Sequence, residues 1–171
     1  MSNYQPNLSN QYWEILKLNI DWLKFSETKS ALILTVYGIL FTIIFTNSSL
    51  ILPCVTESCL MKMVCAAFGI VSLTSALYAF SCINPVLTNG NGKSIIYFGH
   101  ISQKFSNSSD YKNHANSIIN DEEQFVDHIT EQIHSISDIA WAKYTKFGYS
   151  LRLFVASIVI LIVAIIIHYS K

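Results

Sequence analysis

Residues 153–167 read LFVASIVILIVAIII, with no charge and no helix breaker. A helix needs about 20 such residues to cross a hydrocarbon core roughly 30 Å thick, and Phe147 to Leu151 and Tyr169 extend this run to that length. Two more stretches share its character. Residues 30–52 read SALILTVYGILFTIIFTNSSLIL, uncharged after Lys29, and Leu60 to Ile83 is apolar apart from Lys62 near its start. The apolar runs are continuous rather than alternating, so they predict helices, which satisfy their own backbone in lipid, and not barrel strands. A chain of 171 residues could not cover three such helices with soluble structure. The fold expected is an all-α membrane protein with three transmembrane helices.

Composition agrees. Half the chain is hydrophobic (51%) and 13% is charged, against about 25% in an ordinary soluble domain. Eleven basic and eleven acidic residues balance to zero, so no global field draws nucleic acid, and any anion site must come from local clustering. The polar, uncharged start lacks the short apolar core of a cleaved leader, and neither end carries a lipidation motif, so the spans are expected to act as their own targeting signals.

The lysines orient the spans. Lys17, Lys24 and Lys29 precede span one, and Lys93, Lys104, Lys112, Lys143, Lys146 and Arg152 lie between spans two and three. The connection between spans one and two holds only Lys62, and the far end only Lys171. The expected order is therefore an N-terminal amphipathic helix on the cytoplasmic side (1–29), span one (30–52), an outer loop (53–59), span two (60–83), a cytoplasmic helical region (84–146) and span three (147–169). Cys54 and Cys59 fall in the outer loop as a candidate disulfide if the outside is a periplasm. Cys65 and Cys82, inside span two, read as packing residues. No histidine joins the cysteines at zinc-ligand spacing, so no metal site is expected.

The polar parts are patterned too. In YWEILKLNIDWLKF (12–25), Trp13, Leu16, Ile20, Leu23 and Phe25 recur at helical spacing, with Leu18 and Trp22 close by. No Pro or Gly interrupts the passage into span one, so one helix is expected over about residues 10–46. It either projects from the membrane and needs a partner for its apolar stripe, or lies in the interface with its Trp residues at headgroup level. Asn84-Pro85 ends span two, and the Asn/Gly-rich VLTNGNGK is a loop without the ending of a phosphate loop. Ser94 to Phe105 reads as a short helix. From Asp121 a long helix begins, its acidic start suited to the helix dipole. Phe125, Ile129, Ile133, Ile136, Ala140 and Tyr144 recur at spacings of three and four. Spans one and three thus continue into a cytoplasmic helical stalk, the stripe of the long helix meeting the projecting N-terminal helix or copies of both in other subunits, and the expected assembly is a homo-oligomeric bundle.

No enzyme signature stands out. Asp127, His128, His134 and Asp138 share the long helix, but the two histidines are six positions apart and point to different faces, which reads as solvated helix surface. Lys143, Lys146, Lys29 and Arg152 mark the expected inner mouth, with Lys93 in the loop. They either follow the positive-inside rule and touch lipid phosphates, or hold the phosphates of a nucleotide ligand. Thr35, Tyr37 and Thr42 in span one either glue helices together or line a pore.

The order of parts resembles the membrane domain of the Pycsar effector family. The resemblance rests on the acid-x-Lys entry into span one (Glu27, Lys29), the Phe98-Gly99 pair with Ile101, and the approach to span three from Ser137 to Lys143. It implies a membrane effector of bacterial antiphage defence in the inner membrane, gated by a nucleotide or oligonucleotide signal from a synthase encoded nearby. Opening would depolarise the cell and arrest growth. No cofactor is implied beyond that regulatory ligand, for which a single-stranded oligonucleotide is one form. A tetramer would suit a pore lined by few helices. The chain departs from members with an appended cyclic-nucleotide domain, since it ends with span three; the middle segment, the long helix or a partner must then sense the signal. The competing expectation is an anchoring membrane protein that recruits a cytoplasmic partner without forming a pore.

Overall fold

The computed structural model describes residues 8–56, 58–86 and 94–170, the side chain of Cys54 excepted. Six helices and no strand occur among the described residues: α1 (Leu8–Thr46), α2 (Ser48–Thr56), α3 (Cys59–Ile83), α4 (Phe98–Lys104), α5 (Ser108–Ile119) and α6 (Glu122–Tyr169). Three of them, α1, α3 and α6, are long and apolar enough to cross a membrane. The three helices expected from the sequence are therefore present as candidate membrane spans.

Local chemistry explains where each helix stops. α1 runs unbroken for 39 residues and closes at Asn47, whose N–H and side-chain amide both donate to the Ile43 carbonyl, at 3.1 and 2.8 Å. The tail of the expected first span and most of the expected outer loop form α2, which tolerates Pro53 near its end. α3 ends where Pro85 forces Asn84 out of the helical region, to ψ 128°. α5 starts at Asn107, whose side-chain oxygen accepts from the Asp110 N–H at 2.9 Å. α6 starts at Asp121, which accepts from the Gln124 N–H at 3.2 Å; Glu122 and Glu123 occupy its first turn. The Phe98-Gly99 pair opens α4. A side chain at position 99 would meet the Tyr97 ring 2.6 Å away, which accounts for glycine there.

The chain divides into two compact units. Unit one comprises Met1–Lys24 and Val86–Trp141, and unit two Phe25–Pro85 and Ala142–Lys171. In unit one, Ile95, Ala115 and Ile118 form a core, with Ile96, Tyr111 and Phe125 packed on it. The amphipathic reading of α1 is realised in part: Leu16 is buried, whereas Trp13, Leu18 and Trp22 are exposed. Ser137 Oγ on α6 donates to Asn19 Oδ1 on α1 at 2.9 Å. Of the apolar stripe on α6, Ile129 and Ala140 are buried. In unit two, which also holds α2, helices α1, α3 and α6 pack around Ile33, Tyr37, Ala79, Cys82 and Phe147, with Leu34, Ala76 and Phe154 against them.

Candidate functional site

Unit two buries an unusual amount of polarity for helices that are apolar outside. Ser26, Ser30, Ser72, Ser75, Ser150 and Ser157 are fully buried, and so is Tyr37 apart from 2% of its surface. Small hydroxyl side chains let helix backbones approach closely and bridge them, which is the usual means of joining helices in lipid, where apolar surface gives no preference for a neighbour over solvent. Ser75 Oγ on α3 donates to the Ser150 carbonyl on α6 at 2.8 Å, and Ser150 Oγ returns a bond to the Ser75 carbonyl at 2.9 Å. Tyr37 on α1 and Ser157 on α6 share a hydrogen bond of 3.0 Å. Phe154 meets the Tyr37 ring edge-on, centroids 5.3 Å apart.

One end of this seam carries charge. Lys143 Nζ on α6 donates to Glu27 Oε1 on α1 at 2.5 Å; the lysine side chain is only 3% exposed, the glutamate 36%. Cys82 Sγ on α3 lies 3.6 Å from the Ser26 carbonyl and 3.3 Å from the Lys143 carbonyl, so three helices meet at one level. Ser30 Oγ, one turn beyond Glu27, is buried with no hydrogen-bond partner among the described residues. A buried ammonium is tolerable only with its counter-charge in place, because desolvation of a lone charge costs several kcal/mol.

Three of the basic residues singled out in the sequence have separate partners. Lys143 is held by Glu27. Lys146 Nζ reaches the Ser81 carbonyl at 3.4 Å. Lys29 is exposed and lies over the Phe25 ring, 5.3 Å from its centroid. Arg152 is exposed. Lys93 lies outside the described residues. In span one, Tyr37 sits at the helix contact, while Thr35 and Thr42 are exposed and bond to the Ala31 and Gly38 carbonyls of their own helix, at 3.0 and 2.8 Å. Cys59 is exposed at the start of α3, and the side chain of Cys54, its expected partner, lies outside the described residues. Among the described residues no group of His, Cys, Asp and Glu could hold a metal ion.

Sequence reasoning did not foresee the partnership of Glu27 with Lys143, nor the roles of Ser150 and Ser157. Glu27 stood out only as part of the entry motif. The serines on α6 do carry a signal, since Ser150 and Ser157 are seven residues apart and so share a face.

Comparison with known proteins completes the picture. Residues 11–169 match the model of the Pycsar effector protein domain. The Pycsar effector protein PtPycTM of Propioniciclava tarda is 24% identical over 136 residues, which cover 77% of this chain and 66% of that relative. This chain thus spans just under two thirds of the relative's length. No solved structure matches. A family match over nearly the whole chain, on an all-helical protein with three helices fit to cross a membrane, means that the chain belongs to the Pycsar effector family.

Proposed function

We propose that this chain is a membrane effector of bacterial antiphage defence: a homo-oligomeric, channel-like protein of the inner membrane, gated by a nucleotide or oligonucleotide signal. A partner nucleotidyltransferase or cyclase makes the signal, and opening depolarises the cell and arrests its growth. The observation that carries the reading is the match of residues 11–169 to the Pycsar effector domain. The lysine distribution supports an inner N-terminus.

The Glu27–Lys143 pair supplies a means of gating. A ligand shifts an equilibrium only as far as its affinities for the two states differ. The pair joins α1 to α6, so a phosphate that takes the place of the Glu27 carboxylate on Lys143 favours a packing in which the two helices are no longer tied there. Lys146, Lys29 and Arg152, none paired with a carboxylate among the described residues, are the proposed supporting phosphate contacts, with Lys93.

The test is a voltage-sensitive dye in cells that express the chain with and without the neighbouring synthase gene. Depolarisation only with both genes is expected. A membrane potential that stays intact while a cytoplasmic partner is recruited would instead favour the anchoring role.

A further inference from the structure

Two basic side chains meet in unit one, well away in sequence from the Glu27–Lys143 pair, Lys104 at the end of α4 and His114 on α5, and a third basic residue, His128 on α6, belongs to the same unit. Lys104 Nζ lies 3.2 Å from His114 Nε2. An ammonium has only protons to give, so His114 accepts through Nε2 and its own proton resides on Nδ1. His128 acts on His114 electrostatically, and its Nδ1 is buried with no hydrogen-bond partner among the described residues. Phe105 flanks the group, its ring 5.3 Å from that of His114 and 5.5 Å from that of Tyr111; Lys104 Nζ stands 5.3 Å from the same ring.

These elements are fastened together. The Tyr111 hydroxyl donates to the Ile95 carbonyl at 3.1 Å, and Ser94 Oγ donates to the His128 carbonyl at 3.5 Å. No carboxylate comes within ion-pair distance of Lys104, His114 or His128 among the described residues. Asp110, one turn before His114 on α5, is occupied with Asn107 through bonds of 2.8 and 2.9 Å.

Basic groups gathered without an acid repel one another as they charge, and the repulsion is relieved by an anion. We propose that Lys104, His114 and His128 form a binding site for the phosphoryl group of a small soluble ligand. A phosphate dianion takes the Lys104 ammonium as one donor. His114 gains a proton from solvent on Nε2 and becomes a second donor. His128 faces the same charge, and the Phe105 ring offers a flat apolar surface beside it. Burial, then the Lys104 charge and then His128 hold the His114 pKa below its ordinary value. The inference goes beyond the gating reading, and its test measures binding and not membrane potential, so either can fail without the other.

The experiment uses the full chain in a micelle of neutral headgroup, with imidazole resonances followed by NMR at constant ionic strength. Inorganic phosphate is expected to raise the His114 titration midpoint by about one pH unit, whereas chloride leaves it in place. Lys104→Ala, a change at an exposed side chain, is expected to weaken the phosphate effect about tenfold, and Lys112→Ala to leave it unchanged. An absent phosphate effect, an equal effect of chloride, or a Lys104→Ala protein that responds like the parent would overturn the proposal. A response to phosphatidylglycerol without one to inorganic phosphate would overturn it as well, since the ligand would then be lipid.

Discussion

Glu27 and Lys143 lie 116 positions apart, and each can be tested by what its loss leaves behind. Glu27→Gln keeps the shape but strands an ammonium on a side chain that is only 3% exposed. Removing one partner of a buried pair costs about 3 kcal/mol, so the variant should unfold at lower temperature in detergent, and the exchange Glu27→Lys with Lys143→Glu should recover much of the loss. An unchanged unfolding temperature in the single variant would show that water already solvates Lys143. His114 gives a prediction in pH. Its folded pKa is depressed by burial, then by Lys104 on α4 and His128 on α6, so the unfolded chain takes up the proton more readily. The associated stability is present above the ordinary histidine pKa of about 6.5 and is lost as pH falls from there through the lower folded pKa. Thermal unfolding at pH 7.5 and 5.5 measures this, and His114→Gln should flatten the difference. The sequence marked Lys143 for its position near the inner mouth, but nothing in a local pattern tells which acid on another helix will meet it. The Lys104–His114–His128 cluster was illegible for the same reason, since it draws on three elements.

At the scale of elements, legibility followed length and periodicity. α1 and α6 were readable because no Pro or Gly breaks their patterns except Gly38 and Gly148, and long apolar runs leave little choice of structure. α3 ended where Asn84-Pro85 required. α5 was not anticipated. Its sequence SSDYKNHANSII is mostly polar, and its best signal is the cap, Asn107 with Asp110 three residues later. α2 was absorbed into the first span and its loop because Pro53 argues against a helix from sequence alone. The way α3 and α6 are joined yields a prediction at this scale. Each of Ser75 and Ser150 donates to the carbonyl of the other, so the two bonds form a closed pair that depends on close approach of the backbones. Ser75→Ala and Ser150→Ala should each destabilise modestly, and a double-mutant cycle should give a coupling of about 1 kcal/mol. Unfolding of the membrane-embedded protein by a denaturing detergent measures it; strict additivity would mean that the two bonds form independently.

For the molecule as a whole, the buried hydroxyls constrain where water and ions can pass. Tyr37, Ser72, Ser75, Ser150 and Ser157 are enclosed within one copy, so in this packing they cannot line a path between copies. The exterior of unit two is apolar, with Phe45, Leu50, Ile70, Leu73 and Phe80 exposed, and it faces lipid or another copy. Thr35 and Thr42 are hydroxyl-bearing positions on this exterior. They are exposed on α1 and seven residues apart, hence on one face, and their hydroxyls return to their own helix, at 3.0 and 2.8 Å, which lowers the cost of burying them against lipid while leaving lone pairs for water. If copies of the chain assemble into a conducting oligomer, this face of α1 is a candidate to line it. Thr35→Cys and Thr42→Cys, each in a chain whose native cysteines are replaced, should react with a charged, membrane-impermeant thiol reagent only when the proposed signal synthase is active. Ile43→Cys, on an exposed apolar position of the same helix, should stay unreactive because it faces hydrocarbon. Equal labelling at 42 and 43, or labelling of Thr42→Cys regardless of the trigger, would remove α1 as the gated lining and place the water path, if one forms, along a split of the serine seam between α3 and α6.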